Sequence, residues 1–333
     1  MNVHVTNLYN IGGTATLAQH GVMDVAKRLG YHEMGFSWYP FNIDNWTELS
    51  HRQDGIIAPL HFGDVVILQY PNWISLNYDG AFVDRVKAYH DTKLIIFLED
   101  LQYLLFQSEP FILEWEIGIL NHADVLILPS EKMYQFLLEH GLKSEIKIVY
   151  QTIWEMPGET CYRNHEPRRH MIFTGAFDRF PFLHDYHGKT RITLYTNDQP
   201  ARENDESFVW VGGRSPKDLM GEISEGGFGL VWAEEQYFES YYSLNQPHKI
   251  GFCLASGIPV IIRRGSVHES FVRENGLGFV VDSLEEADEK VQSITDDEFR
   301  QLYQNVANIQ QLLLQGAYTT RTLQEAVIAA LEK

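Results

Sequence analysis

Residues 245–262 read NQPHKIGFCLASGIPVII, a pattern that predicts a helix followed by a buried strand. Pro247 suits a first helical turn, where its missing N–H costs nothing, and Lys249 follows inside that turn. Gly257 suits the left-handed conformation that ends many helices. Because a helix N-terminus attracts anions, Lys249 is a candidate for binding a diphosphate. The alternative is a well-capped amphipathic helix whose lysine is merely solvated.

Length and composition set the broad class of the protein. A chain of 333 residues with 44% apolar residues suits two domains of roughly 150 residues, each with its own core. The net charge of -19 argues against nucleic acid or an anionic membrane surface as a partner. Cys161 and Cys253 form neither a metal-type spacing nor a disulfide framework. With no signal peptide and no apolar stretch of membrane-spanning length, we expect a cytoplasmic protein.

Short apolar runs alternate with helical patterns along the chain, which predicts parallel α/β architecture. In the first half we predict strands at residues 2–6, 33–37, 65–69, 93–98, 125–129 and 146–150, and helices at 14–29, 81–90, 111–121 and 131–140. In the second half we predict strands at 170–174, 191–195, 208–211, 229–232, 259–262 and 278–281, and helices at 216–224, 247–255, 267–274, 284–294, 297–315 and 319–332.

The domain boundaries follow from a change in composition. Residues 154–169 are rich in Pro, Gly, Glu and Arg and lack periodicity, which indicates a linker. We therefore predict two doubly wound, Rossmann-like domains, residues 1–153 and 170–318, that face a central cleft. A final helix over 319–333 can return to the first domain.

Polar residues that follow predicted strands are the first candidates for chemistry. Glu99 and Asp100 end a strand, so both carboxylates should emerge at the sheet edge, and we favour Asp100 as a general base toward a hydroxyl. The alternative is that one of them caps the following turn. Gly12, Gly13 and Thr14 open the first helix, where glycine permits a close approach to the backbone. A tight turn without a ligand is the alternative there.

Three further groups lie in the second half. Arg179 follows its first strand, and a guanidinium is a good partner for phosphate oxygens, unless Arg179 pairs with Asp178 or Asp185. Glu234, Glu235, Tyr241, Tyr242 and Asn245 precede the Lys249 helix and could surround a sugar or ribose, the alternative being a solvated acidic loop. The fourteen histidines include no HxH or HxxxH spacing that would indicate a metal site.

The chain resembles a known family. The block at residues 245–262 and the run GLGFVVDSLEE at 276–286, set in two α/β domains, resemble GT-B glycosyltransferases. More narrowly, the chain is similar to the glucosyltransferases that extend O-linked GlcNAc on serine-rich repeat adhesins of Gram-positive bacteria. The segments that carry this narrower resemblance are residues 5–9 with the GGT turn, 54–58, 62–64, 106–108, 123–127, 179–183 and 226–232.

The resemblance implies a cytoplasmic enzyme that transfers glucose from UDP-glucose to a GlcNAc-modified Ser/Thr protein without a metal or other cofactor. Carried over to this sequence, Arg179, Tyr242, Asn245 and Lys249 would bind UDP, and Gly13 and Thr14 would lie near the donor sugar and acceptor. Asp100 matches an Asp of the family, although Glu99 stands before it where the family can have His. Homo-oligomers, tetramers among them, are also implied.

The mechanism we expect is inverting transfer, with Asp100 as the base and a retaining route if no base lies within reach. In it, Lys249, Arg179 and the helix N-terminus stabilise the departing UDP. Two alternatives remain. One is a hexosyl or galactofuranosyl transferase of surface polysaccharide, and the other is a non-catalytic GT-B partner protein.

Overall fold

The structure, a computed structural model, describes residues 1–106, 109–158 and 167–332. Outside these residues lie Gln107 and Ser108, which belong to one of the segments of resemblance, as well as Cys161 and the middle of the expected linker. The chain divides into two compact units. The first is formed by Met1–Thr152 together with Tyr318–Lys333, and the second by Ile153–Ala317.

Each unit is built on a parallel six-stranded sheet, so the expected doubly wound architecture is confirmed. The first sheet has the strand order β2-β1-β3-β4-β5-β6 and the second the order β12-β11-β10-β7-β8-β9. In chain order the strands are β1 (Val3–Tyr9), β2 (His32–Ser37), β3 (Val65–Tyr70), β4 (Lys93–Leu98), β5 (Val125–Leu128), β6 (Lys147–Tyr150), β7 (Met171–Thr174), β8 (Ile192–Tyr195), β9 (Phe208–Trp210), β10 (Phe228–Val231), β11 (Val260–Arg263) and β12 (Gly278–Val281).

Helices connect the strands. In chain order they are α1 (Gly13–Arg28), α2 (Trp46–Ile57), α3 (Leu76–Lys87), α4 (Gln102–Phe106), α5 (Pro110–Leu120), α6 (Glu131–Glu139), α7 (Phe182–Asp185), α8 (Pro216–Ile223), α9 (Glu235–Tyr237), α10 (His248–Ala255), α11 (Glu269–Glu274), α12 (Leu284–Ser293), α13 (Asp296–Gln315) and α14 (Ala317–Leu331). Short 3₁₀ turns cover Phe41–Ile43 and Phe177–Arg179, and a π turn covers Phe238–Tyr242.

The central strands form the cores because their apolar runs are continuous. Every residue of β3 and of β10 is buried, which is typical of parallel strands covered by helices on both faces. Tyr70 and Tyr78 are core residues, whereas Trp46 remains 72% exposed.

Every strand of the described residues was predicted, but the helix α2 and the short helices α4, α7 and α9 were not. The signal for α2 was a capping box, in which Asn45 accepts backbone N–H groups and Glu48 accepts the N–H of Asn45. The helix α3 begins earlier than predicted, because the side chain of Ser75 accepts the N–H of Tyr78. No helix in the described part of the chain is long and apolar enough to cross a membrane.

The last helix, α14, packs in the first unit. Lys147 on β6 donates from Nζ to the carbonyl oxygens of Ala329 (2.8 Å) and Glu332 (3.0 Å), at the C-terminal end of this helix. Arg321 donates to Oγ1 of Thr152 at 2.9 Å. The two bonds from Lys147 satisfy carbonyl groups that a helix end leaves without intrahelical partners.

Candidate functional site

The topology of the second sheet indicates where a ligand would bind in that unit. From β7 the chain proceeds to β8 and β9 on one side, while β10, β11 and β12 lie on the other. The neighbours β7 and β10 therefore flank the point where the strand order reverses, and α/β sheets bind ligands outside the carboxyl ends of such strands. Gly175 follows β7, and α10, which carries Lys249, follows β10.

Lys249 is the second residue of α10, as predicted, but its ammonium group is not solvated. Although the residue as a whole is partly exposed, Nζ is buried and has no hydrogen-bond acceptor among the described residues. Nζ lies 4.1 Å from the ring centroid of Phe173 and 4.1 Å from that of Phe180. Burial, aided by the charge of Arg179, lowers the pKa of Lys249 to about 7. The alternative of a merely solvated lysine is therefore wrong.

Arg179 belongs to a cation–aromatic pair. Its guanidinium lies 4.9 Å from the ring centroid of Tyr237 and donates to the hydroxyl of that residue. Within the described residues no ion pair joins it to Asp178 or Asp185, so that alternative is wrong as well. Arg179 itself is exposed, and its charge contributes to the lowered pKa of Lys249. The second unit thus brings both predicted cations to one place.

Tyr242 and Asn245 shape the approach to α10. Tyr242 lies in the π turn and is buried, and burial together with the nearby Tyr237 raises the pKa of its hydroxyl. The amide of Asn245, also buried, donates to the hydroxyl of Tyr241 at 3.0 Å, and its oxygen accepts the N–H of Gln246 at 2.8 Å. These residues are therefore core members of the loop that leads to α10, and the alternative of a solvated loop is wrong for them.

The N-terminus of α10 is held in place by close packing. The ring of His248 stacks on Trp154 at 4.3 Å between centroids, and burial lowers the pKa of His248 to about 3. A Cβ on Gly251 would stand 1.8 Å from the carbonyl oxygen of Trp154, so only glycine fits there. Pro247 occupies the N-cap position, and no side chain caps this helix. The N–H of Ile250 donates to the carbonyl oxygen of Pro247 at 3.3 Å, and no side chain caps the N–H groups of His248 and Lys249.

In the first unit, the turn before α1 has the expected glycine-dependent form. Gly12 and Gly13 have φ values of 83° and 75°, which favour glycine. The N–H of Gly12 donates to Oγ1 of Thr16 at 3.0 Å, and no side chain caps the helix. Thr14 is exposed beside this turn.

Glu99 and Asp100 point to different environments, which corrects the expectation that both carboxylates emerge. Glu99 is only 4% exposed. Its pKa is raised well above the ordinary value, by burial first and then by the charge of Asp100, while a hydrogen bond from Gln19 opposes this. Asp100 is partly exposed. Among the described residues no group of three His, Cys, Asp or Glu side chains could hold a metal ion.

The sequence analysis missed Phe173, Phe180 and Tyr237, which surround the two cations. Phe180 belongs to the quoted segment 179–183, and the aromatic residues at this strand end were the available signal. Gly175 lies beside Phe173, Phe180 and Lys249. Its φ of 153° and the lack of space at its Cβ explain why glycine occurs there.

Family models match both halves of the chain. The N-terminal domain of the Glucosyltransferase 3-like family matches residues 2–153. The C-terminal domain of the same family matches residues 171–326. The chain is 37% identical to Glucosyltransferase 3 of Streptococcus gordonii, over 99% of this chain and 100% of that protein. It is 23% identical to the β-1,6-galactofuranosyltransferase WbbI of Escherichia coli K12, over 83% of this chain and 93% of that protein.

Solved structures share the fold. Anabaena Alr3699/HepE, solved with UDP and glucose, has a TM-score of 0.64 and 11% identity, over 99% of this chain and 100% of that one. An α-glucosyltransferase solved with UDP has a TM-score of 0.60 and 11% identity, also over 99% of this chain and 100% of its own. The fold class expected from the resemblance, GT-B, is thereby confirmed.

Proposed function

The chain belongs to the Glucosyltransferase 3-like family of glycosyltransferases, and from this premise we propose that it transfers glucose from UDP-glucose. The acceptor we propose is GlcNAc that is O-linked to Ser or Thr of a serine-rich repeat glycoprotein. The relative of Streptococcus gordonii, a glucosyltransferase by name, supports glucose as the transferred sugar.

The observation that carries the proposal is the ammonium of Lys249, buried without an acceptor at the start of an uncapped helix. A buried cation without an acceptor is costly, and a diphosphate would supply the missing partner. The free N–H groups of α10 and the nearby Arg179 would add donors to the same anion. Tyr242 and Asn245 would complete the UDP site from the loop before α10.

The main task of the proposed site is to stabilise the negative charge that develops on the departing UDP. As the bond between C1 of glucose and the diphosphate oxygen breaks, negative charge accumulates on that oxygen. Lys249, Arg179 and the helix N-terminus would stabilise this charge more strongly in the transition state than in the bound donor. No metal is required in this proposal, because the two cations and the N–H groups supply the positive charge.

Asp100 is the base we propose for the acceptor. It would accept the proton from the GlcNAc hydroxyl as the hydroxyl oxygen attacks C1, which inverts the configuration at that carbon. Its exposure supports this choice over Glu99, because burial raises the pKa of Glu99 and so disfavours its charged form. Gly13 and Thr14 would lie near the donor sugar and acceptor, where the glycine turn permits close approach.

The decisive experiment offers a GlcNAc-modified peptide and a mixture of UDP-sugars to the protein. We expect mass spectrometry to find one added hexose, drawn from UDP-glucose, and NMR to find a β linkage. The unmodified peptide is the control and should gain nothing. Transfer of another sugar would refute the donor, and an α linkage would replace the inverting mechanism with a retaining one.

Replacing Asp100 tests the base. In Asp100→Asn, which is isosteric but cannot accept the proton, we expect transfer to be lost while calorimetry finds UDP bound as tightly as by wild type. Glu99→Gln is the matched control and should retain most activity, since Glu99 is buried and burial favours its neutral form. Full transfer by Asp100→Asn would remove that residue from the base role.

A second donor deserves a direct test because of WbbI, a relative named as a galactofuranosyltransferase. Including UDP-galactofuranose in the donor mixture separates the two activities. A non-catalytic partner protein is disfavoured, since Lys249 and Arg179 form a cluster that such a protein would not need.

We further propose that the protein is a cytoplasmic homotetramer. Light scattering on the purified protein would test the tetramer.

A further inference from the structure

The ammonium of Lys249 lies in a notch formed by two phenyl rings. The rings of Phe173 and Phe180 meet edge to face, with centroids 4.9 Å apart and planes at 75°. Nζ lies 4.1 Å from each centroid. Both rings are buried, at 0% and 4% exposure. The cation is therefore held by two aromatic rings, and by no hydrogen-bond acceptor among the described residues.

Aromatic rings hold a cation differently from a carboxylate. A ring attracts an ammonium through its quadrupole, and the attraction is strongest where water is excluded. A carboxylate would neutralise the charge and occupy the N–H donors, and it would also repel an incoming phosphate. The two phenyl groups of this notch neither neutralise the charge of Lys249 nor accept hydrogen bonds from its N–H groups.

Gly175 keeps the notch open. A Cβ at this position would stand 3.1 Å from Nζ of Lys249 and 3.0 Å from Cε2 of Phe180. It would also stand 3.3 Å from Cε1 of Phe173. Any side chain here would enter the space in which the two rings and the ammonium meet.

We propose that Phe173 and Phe180 are positioning residues for Lys249, holding its ammonium in place and charged, without a counter-ion, until the diphosphate of the nucleotide sugar binds. This inference rests on the proposed function, because it assumes the diphosphate. It goes beyond that function by assigning a role in donor binding to two apolar residues that have no group able to bond the donor.

The affinity for the diphosphate should depend on pH, because it depends on the charge of Lys249. The charged and titratable groups facing Lys249 are Arg179, which lowers its pKa, and Cys253, one turn along α10, which opposes this weakly. The adjacent His248 is neutral near pH 7, because burial lowers its pKa to about 3. Since only the protonated amine binds the diphosphate, affinity should fall as the pH rises above about 7, the pKa of Lys249. Removing a ring face would lower that pKa further.

The experiment measures binding of UDP-glucose by calorimetry to wild type, Phe173→Leu and Phe180→Leu. Leucine keeps the apolar character of the site and removes the ring face. We use UDP-glucose because its diphosphate, esterified at both ends, does not titrate near neutral pH, unlike the terminal phosphate of UDP. At about pH 8 we expect binding by each variant to be roughly 3- to 30-fold weaker than by wild type. At about pH 6, where a larger fraction of the lysine is protonated in every protein than at pH 8, the difference should narrow.

Matched controls separate this role from a structural one. Phe208 is also buried and lies under a different cation, Arg202, at 4.6 Å from its ring centroid, so Phe208→Leu should leave the pH profile unchanged. If the leucine variants fold poorly, Phe180→Tyr is the variant to compare with them. It retains the ring face and should therefore keep the wild-type pH profile of binding. Equal weakening at both pH values, or none, would overturn the inference. Failure of wild type to bind UDP-glucose at any pH would instead refute the proposed donor.

Discussion

Lys249 shows how a single residue can oppose folding and serve binding. Its ammonium is enclosed without an acceptor, and burial lowers its pKa from 10.5 to about 7. A group whose pKa is depressed in this way binds fewer protons in the folded chain than in the unfolded chain. Its unfavourable contribution is therefore present at pH values below about 7 and diminishes as the pH rises towards 10.5.

We expect Lys249→Met to stabilise the free protein and to abolish its response to UDP. Replacing a buried charged group by an apolar side chain of similar volume is often stabilising, here by about 1–4 kcal/mol near pH 7. Thermal unfolding with and without UDP measures both effects. Wild type should gain stability on adding UDP and the variant should not. A variant less stable than wild type would contradict the idea that the buried amine opposes folding.

A second group of buried ionisable residues lies in the first unit. Asp79 on α3 is fully buried, and its Oδ1 accepts the N–H of Asn72 at 3.3 Å. Burial, followed by the charge of Glu116, raises its pKa well above 3.8. Glu116 itself accepts the N–H groups of Gln102 and Tyr103 at 2.9 and 3.0 Å. These acids are favoured in the neutral form.

Asp79→Asn should therefore stabilise the protein at high pH and have little effect at low pH. Because the folded-state pKa is raised, the stabilisation by the protonated acid is fully present below the unfolded-state pKa near 3.8. It is lost as the pH rises through the folded-state value. We expect a gain of about 1–3 kcal/mol in the free energy of unfolding by urea at pH 8, shrinking towards pH 5. A gain that is independent of pH would contradict this account.

At the scale of elements, α1 and α10 differ from several other helices in their N-termini. Side chains cap α2, α3, α6, α8, α12 and α13, whereas no side chain caps α1 or α10. An uncapped start leaves N–H groups without partners and costs about 1 kcal/mol of helix stability. In α10 the packing of Gly251 against Trp154 holds the helix without a cap.

The loop after β7 should tolerate no side chain at Gly175. In Gly175→Ala, the φ of 153° and the contacts with Phe180 and Lys249 predict a loss of about 1–3 kcal/mol in stability. We also expect binding of UDP-glucose to weaken by at least about tenfold, because the ammonium is displaced.

Gly118→Ala is the matched control. Gly118 lies within α5 with nothing near its Cβ position, so alanine should stabilise that helix by about 0.5–1 kcal/mol and leave binding unchanged. If Gly175→Ala behaved like this control, the notch would have room that the structure does not show.

At the scale of the whole molecule, the chain leaves the first unit, forms the second and returns in α14. The buried face of this helix includes Leu323, Ala326 and Val327. Lys147 and Thr152 of the first unit bond to it. The stability of the first unit should therefore depend on residues at the far end of the sequence.

Leu323→Ala tests this dependence. Leu323 is fully buried, so we expect a loss of about 2–5 kcal/mol, seen by hydrogen exchange as reduced protection of amides in β5 and β6. Ile328→Ala, on the same helix at 57% exposure, should have little effect. If protection fell instead in β10 and β11, the helix would be stabilising the second unit.

Features of the fold and site that depend on interactions between sequence neighbours could be predicted. Features that depend on residues far apart in the sequence could not. Strand positions were found because continuous apolar runs report burial locally, and Gly257 ends α10 at a φ of 86° as its residue type indicates. The helix α2 was missed although its capping box was visible in the sequence. Asp100 was favoured over Glu99, but the burial of Glu99 was not predicted, since adjacent residues at a strand end differ only in the direction they face.

The α/β class, the strands and the helix that begins beside Lys249 could be predicted from local sequence. Apolar periodicity and turn chemistry act between near neighbours in the chain. The burial of the Lys249 ammonium and its lowered pKa depend instead on the tertiary structure. Phe173 and Phe180 lie more than sixty residues before it and reach it because β7 and β10 are adjacent in the sheet. Burial in the packed unit, and not the local helical sequence, removes water from the ammonium and lowers its pKa, and the faces of the two rings oppose this lowering.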